Sequence, residues 1–255
     1  MGVTVRFMGT AAFEILSANG KRVLIDPYLD DNPVSPLKVA DIDHLDLLLV
    51  THGAVDHLGD AFALMRRIPG LTLVCGADVR GFLMKRGIES ERLVAVPWGM
   101  MVEQAGIRVR PVYARHWSFI QDSDGAVFSS TPLGFIVYAD DDIGIYHSGD
   151  SALYGDMKLY GELYHPRVGL INVGVPREHR GAAHGVDQYL TGEMTAREAA
   201  AAARWWDVEY AIPCHHDDPE LPEIAEFRRI LEADRKSNGK GPIPVILSPG
   251  EQFSI

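Results

Sequence analysis

From Val3 to Met8 apolar and polar side chains alternate with a period of two, the pattern of a strand that buries one face. The same pattern predicts strands at Ala12–Ser17 and Lys21–Ile25, and Asn19-Gly20 between them is a hairpin signal. Leu47–Thr51 is a continuous apolar run of strand length. A helix is expected over Leu58–Arg67, with Asp56 as a candidate N-terminal cap. A strand at Leu71–Cys75, a helix at Asp78–Lys85 and a short strand at Leu93–Val96 follow. Between Ile107 and His147 the chain is mostly β, including Leu133–Tyr138 and Ile143–His147 across the acidic turn Asp140-Asp141-Asp142. The remainder returns to alternation: strand Val168–Val173, helix Met194–Trp206, strand Tyr210–Pro213, helix Pro222–Leu231 and a last strand at Val245–Leu247. Strands followed by helices, given twice, suit two sheets packed face to face with helices outside. No internal repeat or linker interrupts the chain, so residues 1–255 read as one α/β domain.

Composition narrows the partners. A net charge of −11 with no basic stripe argues against nucleic acid, which is bound through Lys and Arg clusters. No apolar run approaches the roughly 20 residues of a membrane helix, and the start lacks the charged and apolar regions of a secretory signal. Arg6 stands where a myristoylation signal needs Ser or Thr. The two cysteines, Cys75 and Cys214, lie in apolar strand contexts, so a reduced, cytoplasmic setting is the expectation. A small-molecule substrate is the expected partner, and self-association is left open.

Candidate chemistry begins where the Leu47–Val50 run stops at Thr51-His52-Gly53-Ala54-Val55-Asp56-His57. Open α/β sheets place their sites at the C-terminal ends of strands, and imidazole with carboxylate suits zinc, manganese or iron. A polar loop capping the next helix through Asp56 is the plainer alternative. Three further clusters follow: Arg115-His116-Trp117-Ser118, His147-Ser148-Gly149-Asp150-Ser151 and Pro213-Cys214-His215-His216. No Gly-x-Ser-x-Gly elbow or Walker A loop competes with them.

In this order the clusters resemble the metallo-β-lactamase superfamily, whose signature H-x-H-x-D-H is met here with Ala54 at the second histidine. His116-Trp117-Ser118 is similar to the branch containing N-acylphosphatidylethanolamine phospholipase D. The whole chain looks like the small cytosolic hydrolases related to L-ascorbate-6-phosphate lactonase. The resemblance implies a four-layer αββα sandwich with a metal site at one edge. It implies one metal position formed by His52, His116 and Asp150, and another by Asp56, His57, His215 and Asp150. The former lacks the imidazole that Ala54 replaces. One or two divalent transition metals are implied, zinc first, with manganese or iron as alternatives. Asp56 and Asp150 would orient the attacking water or take its proton, in hydrolysis of a small ester, lactone, amide or phosphodiester.

Other residues stay open between bland and functional roles. Asp26 and His147 read as hydrogen-bonding supports for the ligands. His216 and Cys214 alternate away from His215 along the strand. Trp117, Tyr113 and Trp98 are either core or pocket wall, with Trp117 a candidate substrate contact. His44 and His165 read as surface residues. The segment 176–185 carries Arg177, Glu178, His179, Arg180 and His184, either a solvated loop or a lid over substrate. Two rivals accompany the hydrolase reading. One is a catalytically impaired relative that binds a ligand or partner, suggested by Ala54. The other is a tRNase Z-type nuclease, disfavoured by the acidic charge.

Overall fold

The computed structural model describes residues 2–140, 143–174 and 192–255. The first sheet opens with β1 (Thr4–Phe7), β2 (Phe13–Leu16) and β3 (Arg22–Ile25), an antiparallel meander turning at Gly20. β4 (Leu47–Leu49) then lies parallel to β3. After α1 (Val55–Leu58) and α2 (Ala61–Arg67), β5 (Thr72–Cys75) joins β4, and beyond α3 (Ala77–Lys85), β6 (Leu93–Ala95) joins β5.

The second sheet begins with the pair β7 (Val102–Gln104) and β8 (Ile107–Tyr113). A separate hairpin of β9 (Phe119–Gln121) and β10 (Val127–Ser129) follows. β11 (Leu133–Asp140) runs antiparallel to both β8 and β12 (Ile143–His147). α4 (Asp156–Tyr164), β13 (Val168–Asn172), α5 (Ala196–Trp205), β14 (Tyr210–Cys214), α6 (Pro222–Asn238) and β15 (Ile243–Pro244) add parallel strands with helical crossovers. β16 (Gln252–Ser254) crosses back to pair with β1. The sheets read β16-β1-β2-β3-β4-β5-β6 and β15-β14-β13-β12-β11-β8-β7.

Strand alternation makes the layers. In β11, Phe135 and Val137 join Phe7, Ile15, Leu49 and Leu170 in the core between the sheets. Ile136, on the opposite face, packs with Tyr146, Ala199 and Trp206 beneath the second helix layer. On the far side of the first sheet, Leu48 and Leu73 meet Leu64, Val79 and Leu83 of α2 and α3. This is the αββα arrangement.

Several boundaries depart from the sequence reading. The helix expected over 58–67 is interrupted at Gly59, whose φ is +40° and where a Cβ would lie 2.4 Å from the Pro27 carbonyl oxygen. Asp60, not Asp56, takes the position before α2, and its carboxylate accepts from the backbone N–H of Leu29 and Asp30 instead of capping. α6 runs on to Asn238 and stops at Gly239, φ +69°. The expected last strand at Val245–Leu247 is replaced by β15 and by β16, which closes the first sheet. α4 had no counterpart in the sequence reading, although Met157 and Gly161 are buried at i, i+4 spacing on its inner face. No helix of the described residues is long and apolar enough to cross a membrane.

Topology brings the four clusters together. β3 is parallel to β4, and β12, β13 and β14 are mutually parallel, so their C-terminal ends share one edge of each sheet. β8 reaches that edge too, because Tyr113 pairs with Leu133 two residues before Phe135 pairs with His147.

Candidate metal centre

Four loops, each leaving the end of a buried strand, converge on Asp150. Its Oδ2 lies 3.2 Å from His57 Nε2, 3.4 Å from His215 Nε2, 3.9 Å from His52 Nε2 and 4.0 Å from His116 Nε2. Asp56 Oδ2 stands 3.4 Å from the same His215 nitrogen. His52, His116 and Asp150 form one group with metal-ligand spacing, and Asp56, His57 and His215 form another. The residues of both candidate positions are thus brought together, with Asp150 Oδ2 within 4.0 Å of His52, His57, His116 and His215.

The backbone is bent to do this. Gly149, at φ +54°, turns the chain after β12 where a Cβ would meet the Leu133 carbonyl oxygen at 2.7 Å, so only glycine fits. Of the non-glycine residues with positive φ, Asp26 (+49°), Thr10 (+52°) and His215 (+68°) lie at this edge. His215 is locked there by its N–H to the Thr10 carbonyl, 2.6 Å, while Thr10 N–H reaches the His216 carbonyl, 3.0 Å. Strain held by surrounding hydrogen bonds is frequent at functional sites.

Supporting hydrogen bonds fix which ring nitrogen faces the centre. Asp26, fully buried, accepts from Thr51 N–H (2.8 Å), Thr51 Oγ1 (2.8 Å) and His57 Nδ1 (2.7 Å). Having given its proton to Asp26, Thr51 Oγ1 is left as acceptor for His52 Nδ1 at 3.1 Å. Both imidazoles therefore turn Nδ1 toward a supporting oxygen and aim Nε2 inward. His147 has both nitrogens in use, donating from Nε2 to the Ala11 carbonyl (2.8 Å) and accepting Gly149 N–H on Nδ1 (3.0 Å). It steadies the Asp150 turn and offers no lone pair to a metal. Ser118 accepts from Gly53 N–H at 2.8 Å and donates to Asp78, tying the His52 loop to the His116 loop. Arg115 N–H to Ser151 Oγ (2.9 Å) ties the His116 loop to Asp150.

Electrostatics follow the geometry. Burial raises the Asp150 carboxyl, but the His215 and His57 charges outweigh it and hold the group well below the usual carboxylate range. Burial also opposes ionisation of Asp56 and Asp26, and their histidine partners again win. His52 is pushed down to about 3 by burial and by neighbouring His57. An anionic Asp150 beside a neutral His52 is the state in which both groups offer lone pairs.

A metal fits this donor set. Among the described residues, His52 Nε2, His57 Nε2, His215 Nε2 and Asp150 Oδ1 are all buried without a hydrogen-bond partner. Buried polar atoms are rarely left unpaired, and a bound cation would satisfy these four.

One residue escaped the sequence reading. Glu193, with a side chain 5% exposed, sets its Oε2 3.2 Å from His215 Nδ1 and groups with Asp150 and His215 at ligand spacing. It pairs with His215 by charge, without the hydrogen bond that Asp26 makes to His57. No motif surrounds it; only its place just before the capping box at Thr195 marks it. His216 turns away, its ring 5.0 Å from Phe7. Cys214 is buried in the core with its thiol pushed up by burial, the behaviour of a small apolar residue. Trp117 is half exposed, its ring 6.0 Å from His116, whereas His44 and His165 are surface residues. Arg177, Glu178, His179, Arg180 and His184 lie outside the described residues.

Comparison with known proteins agrees with this layout. A family model described as a beta-lactamase superfamily domain matches residues 21–216. A UPF0173 metal-dependent hydrolase of Rubrobacter xylanophilus is 34% identical over 254 residues, covering 99% of this chain and 96% of its own. Another of that description, from Methanopyrus kandleri, is 35% identical over 251 residues, covering 98% of each chain. Among solved structures, the metallo hydrolase Igni18 of Ignicoccus hospitalis superposes with a TM-score of 0.75 at 24% identity, over 100% of this chain and 99% of that one. This last similarity concerns the fold alone.

Proposed function

The chain belongs to the beta-lactamase superfamily, and from that premise we propose that it is a metal-dependent hydrolase of a small ester, lactone, amide or phosphodiester. The single observation that carries this reading is the set of four buried, partnerless ligand atoms from His52, His57, His215 and Asp150. Asp56, His57, His215 and Asp150 would hold the tighter ion. His52, His116 and Asp150 would hold a weaker one, since Ala54 offers only a methyl group. The borderline-hard nitrogen and oxygen donors favour zinc, with manganese or iron as substitutes. When bound, such an ion acts as a Lewis acid and lowers the pKa of water toward about 7.

The protein's own groups do the rest. Asp26 and Thr51 orient His57 and His52 so that Nε2 faces the centre, and Glu193 stands 3.2 Å from His215 Nδ1 as its charge partner. Asp56, at the opening of the site with a side chain 38% exposed, is kept ionised by His215. Asp56 and Asp150 would orient the attacking water or take its proton. The Leu47–Leu49 strand and the apolar core beneath it exclude bulk water from the ligand side.

Elemental analysis of protein prepared without chelator, followed by a screen of lactones, esters, N-acyl amides and phosphodiesters, tests the proposal. At least about one transition metal per chain and chelator-sensitive turnover are expected. A protein that takes up neither zinc, manganese nor iron on reconstitution overturns it.

A further inference from the structure

A trough of about 810 Å³ opens on the Ala54 flank of the centre, and His52 is a wall of both. That volume lies within the range of pockets that hold a drug-sized ligand. Its lining is mainly apolar, including Ala54, Leu58, Phe62, Phe82, Trp117 and Ile120. The charged groups in it are already engaged. Asp60 Oδ2 accepts the Leu29 and Asp30 N–H groups at 2.8 and 2.9 Å. Arg86 donates to Asp122 at 2.9 Å and lies over the Phe82 ring at 4.3 Å.

Val55, Trp117 and Phe119 are exposed by 80%, 48% and 45%, an apolar group in water beside a polar centre. The floor is fixed relative to the ligands, since a Cβ at Gly53 would lie 2.5 Å from Ile120 Cγ1. The cavity at Asp56 and His215 is more acidic, with Asp217, Asp218 and Glu223 beside Val173, Leu221 and Ile224. Among the described residues, the trough is the less charged of the two sides on which an apolar substituent could lie.

We propose that this trough binds an uncharged acyl or alkyl arm of the substrate, making the substrate an ester or lactone that carries such an arm next to the scissile carbonyl. The inference rests on the hydrolase reading for the word substrate, but the trough's preference for an alkyl chain does not need turnover. Ala54 lines the trough beside His52.

The test uses the full chain reconstituted with zinc and two probe series. Straight-chain alcohols from butanol to decanol, below their solubility limits, are titrated by calorimetry, and phenyl esters from acetate to octanoate are assayed for kcat/KM. Alcohol affinity and kcat/KM are expected to rise about 4-fold per methylene until the trough is filled. Ala63→Trp, which adds bulk to the lining from α2, should flatten both series. Trp117→Ala, at an exposed position, should lower the slope if Ala63→Trp does not fold. Affinity independent of chain length, or slopes unchanged in the folded variant, overturns the proposal. Length-dependent alcohol binding without ester turnover supports the trough and counts against the hydrolase reading alone.

Discussion

Asp26→Asn changes one atom at the point where three donors meet. The substitution suits the backbone, because asparagine tolerates the left-handed φ of +49° at this position better than other side chains. Its amide oxygen can still accept from Thr51 N–H, where Asp26 Oδ1 now does so at 2.8 Å. The amide nitrogen then replaces Oδ2, which accepts from His57 Nδ1 at 2.7 Å and from Thr51 Oγ1 at 2.8 Å. Two donors would face each other unless His57 moves its proton to Nε2, the nitrogen aimed at Asp150. That tautomer cannot ligate. Flipping the amide only transfers the conflict to Thr51 N–H.

A hydrogen bond to a charged group is worth about 1.5–3 kcal/mol, and loss of a ligand's orienting partner weakens metal binding roughly 10–100-fold. Zinc affinity should therefore fall by one to two decades, about 1.4–2.7 kcal/mol. Competition against a chromogenic chelator measures it, with a urea midpoint on the metal-free protein to show that the variant folds. Zinc affinity within about twofold of the unaltered protein, in a folded variant, would refute the claim that Asp26 sets the His57 tautomer.

Ala54→His should raise occupancy of the His52–His116 position; zinc titration should show the weaker of two affinities tightening toward the stronger. Trp206→Ala empties the space of a fully buried ring stacked on Tyr146 at 3.8 Å, and should lower unfolding free energy by about 3–5 kcal/mol in urea titration. Asp46→Asn probes a carboxylate that accepts from Lys21 Nζ and Arg22 N–H, both at 2.9 Å. Burial raises its pKa, but these bonds outweigh burial and depress it, so its stabilisation is present above the unfolded value of about 3.9 and fades as pH falls through the folded one. The variant should be less stable by about 1 kcal/mol at pH 7, with the gap to the unaltered protein closing below about pH 4. A gap that does not narrow at all as pH falls below about 4 would mean that packing, not ionisation, is at work.

Much of the centre was legible in the chain because ligand loops follow buried strands, and a strand's alternation says which neighbour faces inward. His215 was separable from His216 and Cys214 on that ground, and His57 with Asp56 by their place after the Leu47–Val50 run. Asp26 was readable as a support because it ends an alternating strand. Glu193 was not, since nothing near it in sequence is a ligand and its partner His215 stands more than twenty residues away. The break at Gly59 escaped because the apolar spacing of Leu58–Arg67 suits one continuous helix. The constraint comes from Pro27, whose carbonyl oxygen would be 2.4 Å from any Cβ there.

The sequence by itself determined most of the local elements, the two-sheet class and the candidate donor groups, because periodicity and residue chemistry act over a few neighbouring positions. Tertiary structure alone decided that β16 returns to β1, that four loops meet on one carboxylate, and that an apolar trough adjoins them. Those features join residues far apart along the chain. Their distances depend on strand register, crossover direction and the packing of helices on both faces, and those quantities are settled only when the whole core closes.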